Sequence, residues 1–272
     1  MSGIDIVIPH VDGAAPGYEE LCRRHTGEFV PCQLRDLGEL RYVLRSIETN
    51  LAGCRIVLVV QTEAHLPAWL RRDTIRVVRH DEFIPADLLP TFHWATIVAH
   101  LHRIPDLAEQ HVVWEDDVVL GRRLDPRTFF ADDGLLAPGW ETSPIVPGLA
   151  PLLGTYQRNL EESARALRRI TGRRRTSWLF AHAPLAATRT SWARFHALFA
   201  ADPAYRDTVS RRSRGDEHRC PTVDPCVLYA NWVECELRRS GEVERVSSVL
   251  GRLGRAAITR LLRPSKGSAQ RF

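Results

Sequence analysis

The run Arg55-Ile56-Val57-Leu58-Val59-Val60 constrains the fold more than any other stretch of this chain. It is almost uninterruptedly apolar and rich in β-branched side chains, and a strand of that composition needs cover on both faces, as strands of parallel α/β sheets have. Its neighbours agree. Ile4-Asp5-Ile6-Val7-Ile8 alternates as a strand and ends in the turn His10-Val11-Asp12-Gly13. Between the two runs, the segment Arg35 to Ile47 places apolar residues at 40, 43, 44 and 47, which is helical spacing. Ile75 to His80 reads as a third strand, Thr91 to Arg103 as a helix, and His111-Val112-Val113-Trp114 as a fourth strand. The order strand, helix, strand, strand, helix, strand predicts an α/β fold with a mostly parallel sheet and flanking helices.

Beyond the fourth strand, residues 121 to 155 are rich in Pro, Gly and Asp and read as an irregular insertion. Asn159 to Ile170 reads as a charged helix closed by Gly172-Arg173-Arg174-Arg175, a solvated helix end or a phosphate clamp. Val223 to Leu237 is apolar and aromatic at helical spacing and is expected to pack on the sheet. Val243 to Arg263 sets Val246, Val249, Leu250 and Leu253 against Arg245, Arg252, Arg255 and Arg260, a basic amphipathic helix. That helix either lies on an anionic membrane face or docks on its own domain. The chain therefore divides into a domain over 1–240 and a basic helix with its tail over 241–272.

A length of 272 residues with 44% hydrophobic content is enough to bury a core. There is no run of about 18 apolar residues and no leader-like apolar segment. A cytoplasmic protein is expected, with the C-terminal helix as a peripheral contact at the inner membrane face. Six cysteines at 22, 32, 54, 220, 226 and 235 include no CxxC pair and read as reduced thiols. The net charge of +4 is mild, and no nucleic-acid partner is expected. Lys266 is the only lysine. An Arg-dominated surface suits phosphate and carboxylate partners, and equally follows from genomic base-composition bias.

Glu115-Asp116-Asp117, at the end of the fourth strand, is the sharpest chemical signal. Adjacent carboxylates on such a turn can hold a hard divalent cation, Mg²⁺ or Mn²⁺, which would neutralise a diphosphate, or they form a solvated acidic turn. Asp12 adds a carboxylate at the end of the first strand, with Gly13 letting backbone approach a ligand. His182, in Ala181-His182-Ala183-Pro184, sits in a loop and reads as a general base or as an ordinary surface imidazole. His100 and His102 stand two apart on the predicted helix, a spacing that does not aim both at one metal. Arg41 and Arg45 share a helix face and can pair with a phosphate or with Glu39 or Glu48.

Together these residues resemble the Stealth family. Ile4 to Val7 and Val11-Asp12-Gly13 are similar to its first conserved region, with His10 where a Trp is usual. The block from Arg35 to Leu120 resembles the second region. Its matching pieces are Asp36-x-x-Glu39-Leu40-Arg41-Tyr42-x-Leu44-Arg45-Ser46-Ile47, Pro67-Ala68-Trp69-Leu70, Asp81 to Pro85, Leu89 to Phe92, His100-Leu101-His102-Arg103-Ile104 and Asp116-Asp117-Val118. Ala181 to Pro184 resembles the third region, and the stretch around Arg219, Asp224 and Tyr229 the fourth. Three positions depart from the pattern: Glu115 replaces Asn, Val98 replaces Glu and Ala95 replaces Asn.

The resemblance implies a nucleotide-sugar transferase-like fold and a catalytic domain over 1–240. It implies transfer of a hexose-1-phosphate, typically an N-acetylhexosamine phosphate, from a UDP-sugar donor to a glycan acceptor in capsule or exopolysaccharide biosynthesis. In that assignment His182, Arg219 and Asp117 are catalytic. Asp12, Gly13, Asp36, Glu39, Arg41, Arg45, His102 and Arg103 bind substrate, and Asp116 with Asp117 holds the metal. Two alternatives stand beside it: a nucleotide-sugar glycosyltransferase, which would release UDP, and a degenerate Stealth domain acting as a binding module.

Overall fold

The computed structural model describes residues 3–31, 34–131, 134–135, 141–144, 154–173, 177–180, 184–213 and 222–240. His182, Arg219 and the whole of the predicted C-terminal helix lie outside them.

Three strands follow the predicted runs closely: β1 (Ile4–Pro9), β2 (Cys54–Val60) and β3 (Ile75–Arg79). They pair in parallel in the order β3-β2-β1, and β4 (Gln110–Val113) then returns to the opposite side of β1, also parallel. The sheet is completed by β9 (Leu185–Thr188), which runs antiparallel to β4 with Leu185 opposite Val113. Two short antiparallel pairs lie apart from it: β5 (Phe130–Ala131) with β6 (Gly134–Leu135), and β7 (Glu141–Pro144) with β8 (Ser177–Phe180).

The expectation of a strand covered on both sides holds. Leu58 and Val60 of β2 join Ile6 and Ile8 of β1 under Leu40, Val43, Leu44 and Ile47. Those four residues are the apolar stripe of α2 (Glu39–Asn50), which follows α1 (Tyr18–Thr26). The alternate residues Val7, Val57, Val59 and Val78 face the other layer, a larger cluster with Leu160, Leu167, Trp192, Phe195 and Tyr229. That layer is built from α3 (Trp94–Ala99), α4 (Thr155–Thr171), α5 (Arg189–Phe199), α6 (Pro203–Val209) and α7 (Pro225–Ser240). Alternation of period two divides each strand between the two cores.

The helix predicted over 91–103 is shorter. The Thr91 hydroxyl donates to the Arg211 carbonyl at 3.0 Å and the Phe92 amide to the Arg212 carbonyl at 2.6 Å, which tie these two residues to a distant loop. The α-helix starts only at Trp94, and a 3₁₀ turn over Leu101–Arg103 follows it. Among the described residues no helix is long and apolar enough to cross a membrane.

Polar clasps hold the amino end of the sheet. Asp5, 1% exposed, accepts from Arg55 Nε at 2.8 Å, Arg55 Nη2 at 2.7 Å and the Ala108 amide at 2.8 Å. On the helical layer, Arg169 grips Asp202, which also caps α6 by accepting from the Ala204 and Tyr205 amides.

His102 and His196 lie with ring centroids 5.0 Å apart, and His100 lies 5.1 Å from His196. Burial, reinforced by the neighbouring imidazoles, pushes His102 down to about 3 and His196 to about 4. Burial lowers His100 as well, and pushes His80 and His111 down to about 4. An unfolded chain protonates these rings near pH 6.5, so between that pH and about 4 the unfolded state binds more protons. Stability is therefore full above about pH 6.5 and declines as pH falls. The urea midpoint is expected to drop progressively from pH 7 to pH 4.5, with a shallower slope in His102→Asn. A midpoint constant over that range would contradict this account.

Candidate functional site

Strand order reverses at β1. The chain progresses outward to β2 and β3 and then crosses back to β4, which leaves a crevice at the carboxyl ends of β1 and β4, the position where open α/β sheets bind ligands. A cavity of about 510 Å³ occupies that crevice, a volume in the range of small-molecule sites.

One hydrogen bond bridges the crevice floor. His10, the first residue after β1, is 8% exposed and places Nδ1 2.7 Å from Asp116 Oδ2. Because a carboxylate oxygen only accepts, Nδ1–H is the donor. The backbone holds the ring in place, since the His10 amide donates to the Val59 carbonyl at 2.8 Å. Nε2 of His10 is buried with no partner among the described residues.

Asp116 sits on a turn with its own supports. Trp114 Nε1 donates to the Val118 carbonyl at 2.7 Å, and the Val118 amide donates to the Glu115 carbonyl at 3.3 Å. This turn presents Glu115, Asp116 and Asp117 to the cavity, where Asp224, at the start of α7, brings a fourth carboxylate. No Arg or Lys is among the described residues that line it. Tyr156, near the start of α4, also lines this half. Burial, then Asp224 and Glu115, raise its pKa well above the usual phenol value, so it remains a neutral donor. Burial likewise keeps the Cys226 thiol protonated, which removes it as a nucleophile at neutral pH.

Among the described residues no three His, Cys, Asp or Glu side chains converge to enclose a metal ion.

The remaining predicted residues are dispersed. Asp12 does not line the cavity; its Oδ1 accepts from the Ala14 amide at 2.8 Å, and its carbonyl accepts from His65 Nδ1 at 3.0 Å. Asp36 accepts from the Gly38 amide at 2.6 Å and Glu39 from the Leu37 amide at 2.7 Å, so both shape the start of α2. Arg41 stacks over Trp69 at 4.9 Å on the exposed side of that helix, and Arg45 is exposed one turn further on. His102 packs against His196, and neither it nor Arg103 lines the cavity. Of the three departures, Ala95 and Glu115 line the cavity, while Val98 is fully buried in the apolar core, where an apolar residue fits.

Gly13 has a steric role. A Cβ there would lie 2.3 Å from the Leu34 carbonyl oxygen and 2.5 Å from Leu34 Cβ. Gly13→Ala must displace the loop that carries His10 and is expected to cost about 1–3 kcal/mol in urea unfolding. A loss under about 0.5 kcal/mol would show that this packing is loose.

Residues 33–137 match Stealth protein CR2, conserved region 2. The chain is similar to the capsular polysaccharide phosphotransferase WcwK of Streptococcus pneumoniae, at 32% identity over 157 residues, 54% of this chain and 47% of that protein. The receptor polysaccharide phosphotransferase WefC of Streptococcus oralis matches to the same extent, 32% over 157 residues, with 54% and 47% covered. The capsular polysaccharide phosphotransferase LcbA of Aeromonas hydrophila is 35% identical over 143 residues, 48% of this chain and 39% of that protein. The matched stretch spans less than half the length of each of these relatives. The stretch that matches conserved region 2 of Stealth proteins contains β2, β3, β4 and the acidic turn at the crevice.

Proposed function

We propose that this chain is a phosphotransferase of polysaccharide biosynthesis that moves an N-acetylhexosamine-1-phosphate from a UDP-sugar to a glycan hydroxyl. The observation that carries the reading is the carboxylate-rich cavity at the sheet's switch point, in a chain whose relatives are named polysaccharide phosphotransferases. In the step, the acceptor oxygen bonds to the sugar-linked phosphorus. The bond from that phosphorus to the bridging oxygen breaks, UMP leaves, and the acceptor proton passes to a base. Little covalent work falls to the protein, so positioning and charge dominate.

His182 is the proposed base. It stands three residues before Leu185, which lines the cavity. Arg219, three residues before the cavity-lining Thr222, is the proposed cation for the phosphoryl oxygens. Asp116 and Asp117 would hold a divalent cation, Mg²⁺ or Mn²⁺, which when bound offsets the charge of the diphosphate among the acidic side chains. His10 serves Asp116 as a positioning residue through its 2.7 Å bond. Asp12, Asp36 and Glu39 act through loop and helix-start geometry, whereas Arg41 and Arg45 are exposed cations on α2.

Purified protein incubated with UDP-N-acetylhexosamine, a glycan acceptor and Mg²⁺ is expected to release UMP. Release of UDP would assign glycosyl transfer instead. His182→Ala is expected to slow UMP release by about 10²–10⁴-fold, the usual contribution of a positioned base. Asp117→Asn is expected to lower the rate and to raise the Mg²⁺ concentration needed for half-maximal rate. Near-wild-type turnover in either variant, with an unchanged melting curve, would remove the role assigned to it.

A further inference from the structure

The cavity has a second polar region that the acidic turn leaves unused. Gln61 is the first residue beyond β2 and His80 the first beyond β3. The parallel register pairs Val60 with Arg79 and Pro9 with Val59. Gln61 and His80 therefore occupy the next rung of neighbouring strands, which run about 4.8 Å apart, and Val11 continues the row beyond β1. All three line the cavity.

Both polar atoms of the Gln61 carboxamide, Oε1 and Nε2, are shielded from solvent without a hydrogen-bond partner among the described residues. The same is true of Nδ1 of His80, a side chain only 5% exposed. Native structures leave few such groups, because an unmet buried donor or acceptor costs free energy. Their clustering in one cavity marks where a ligand's polar edge belongs. That edge is uncharged. A carboxamide carries no charge, and burial, aided by His65, keeps His80 neutral near pH 7. Tyr18 and Phe92, with ring centroids 5.8 Å apart, add aromatic wall to the same cavity. Glu115, Asp116 and Asp117 follow β4 on the opposite side of β1, so the cavity has a neutral end over β2 and β3 and an acidic end over β4.

A carboxamide presents one acceptor beside one pair of donors. Its complement is a planar edge with an N–H next to a C=O, the edge that uracil presents. We propose that Gln61 and His80 form the nucleobase subsite of this cavity. Gln61 Oε1 accepts from uracil N3–H, its Nε2 donates to uracil O4, and His80 makes a further contact through Nδ1. The proposal rests on the reading that the donor is a UDP-sugar and identifies which residues select it. The diphosphate then extends across β1 toward the acidic turn.

Titration calorimetry on the full chain with Mg²⁺ tests this, using UDP, 3-methyl-UDP, which lacks N3–H, and ADP as probes. The wild type is expected to bind UDP at least about tenfold more tightly than either analogue, because a site built around a hydrogen bond rejects a ligand that lacks it. In Gln61→Ala, UDP binding is expected to fall about tenfold and the difference between UDP and 3-methyl-UDP to vanish. The melting temperature of this variant should be no lower than wild type, since the substitution removes two unmet polar atoms. His80→Ala is expected to weaken UDP binding several-fold, with partial recovery in His80→Asn. Equal binding of UDP and 3-methyl-UDP by the wild type, or an undiminished preference in Gln61→Ala, overturns the subsite. UMP release separates this from the broader reading: if release persists while the two uridine nucleotides bind alike, only the subsite falls. If the wild type binds none of the probes, the UDP-sugar donor falls and the subsite with it.

Discussion

The parallel pairing of β1 with β2 on one side and β4 on the other is the interaction on which the rest depends. A central strand paired in this way has no free edge and no exposed face, so helices must cover the sheet on both sides. It also makes the strand order reverse at β1, and reversal opens the crevice at the carboxyl end. Everything at the site hangs from that geometry: His10 leaves β1, Asp116 leaves β4, and their 2.7 Å hydrogen bond spans the gap between the two diverging chains. The antiparallel strand β9 beside β4 brings Leu185 to the same rim.

Charge is distributed unevenly along this rim. Four carboxylates, of Glu115, Asp116, Asp117 and Asp224, share the β4 side and the start of α7, whereas the β2 and β3 ends carry a carboxamide and an imidazole that burial keeps neutral. An anionic ligand portion can enter the first region only with cations, and a neutral polar portion can enter the second without any. Glu115, beside Asp116 and Asp117, sharpens this division. Val98 lies in the apolar core, where a charged side chain would need a buried partner.

Much of the fold was legible because periodicity reports burial directly. The apolar run at 55–60 and the stripe at 40, 43, 44 and 47 fall on β2 and α2, and both predicted faces are the buried ones. The strand β9 is only four residues, Leu-Ala-Ala-Thr, too short and too weakly patterned to separate from its surroundings, and its pairing comes from β4 rather than from local propensity. The predicted helix over 91–103 was too long because a helical pattern does not register that the Thr91 hydroxyl is spent on Arg211. Asp36 and Glu39, assigned to substrate binding through the resemblance, accept from backbone amides at the start of α2, a local role that only the structure displays.

By itself the sequence determined the α/β class, the strands β1 to β4, and the acidic turn Glu115-Asp116-Asp117, since each is encoded by a contiguous pattern of burial or charge. Only the tertiary structure decided which distant residues meet. His10 and Asp116 are 106 positions apart, and Gln61 and His80 become neighbours solely through the register of β2 against β3. The physical reason is that strand register and crossover direction are settled by long-range packing of the two cores. A single histidine or glutamine at a strand end carries no local signature of the partner, or the lack of one, that packing will assign to it.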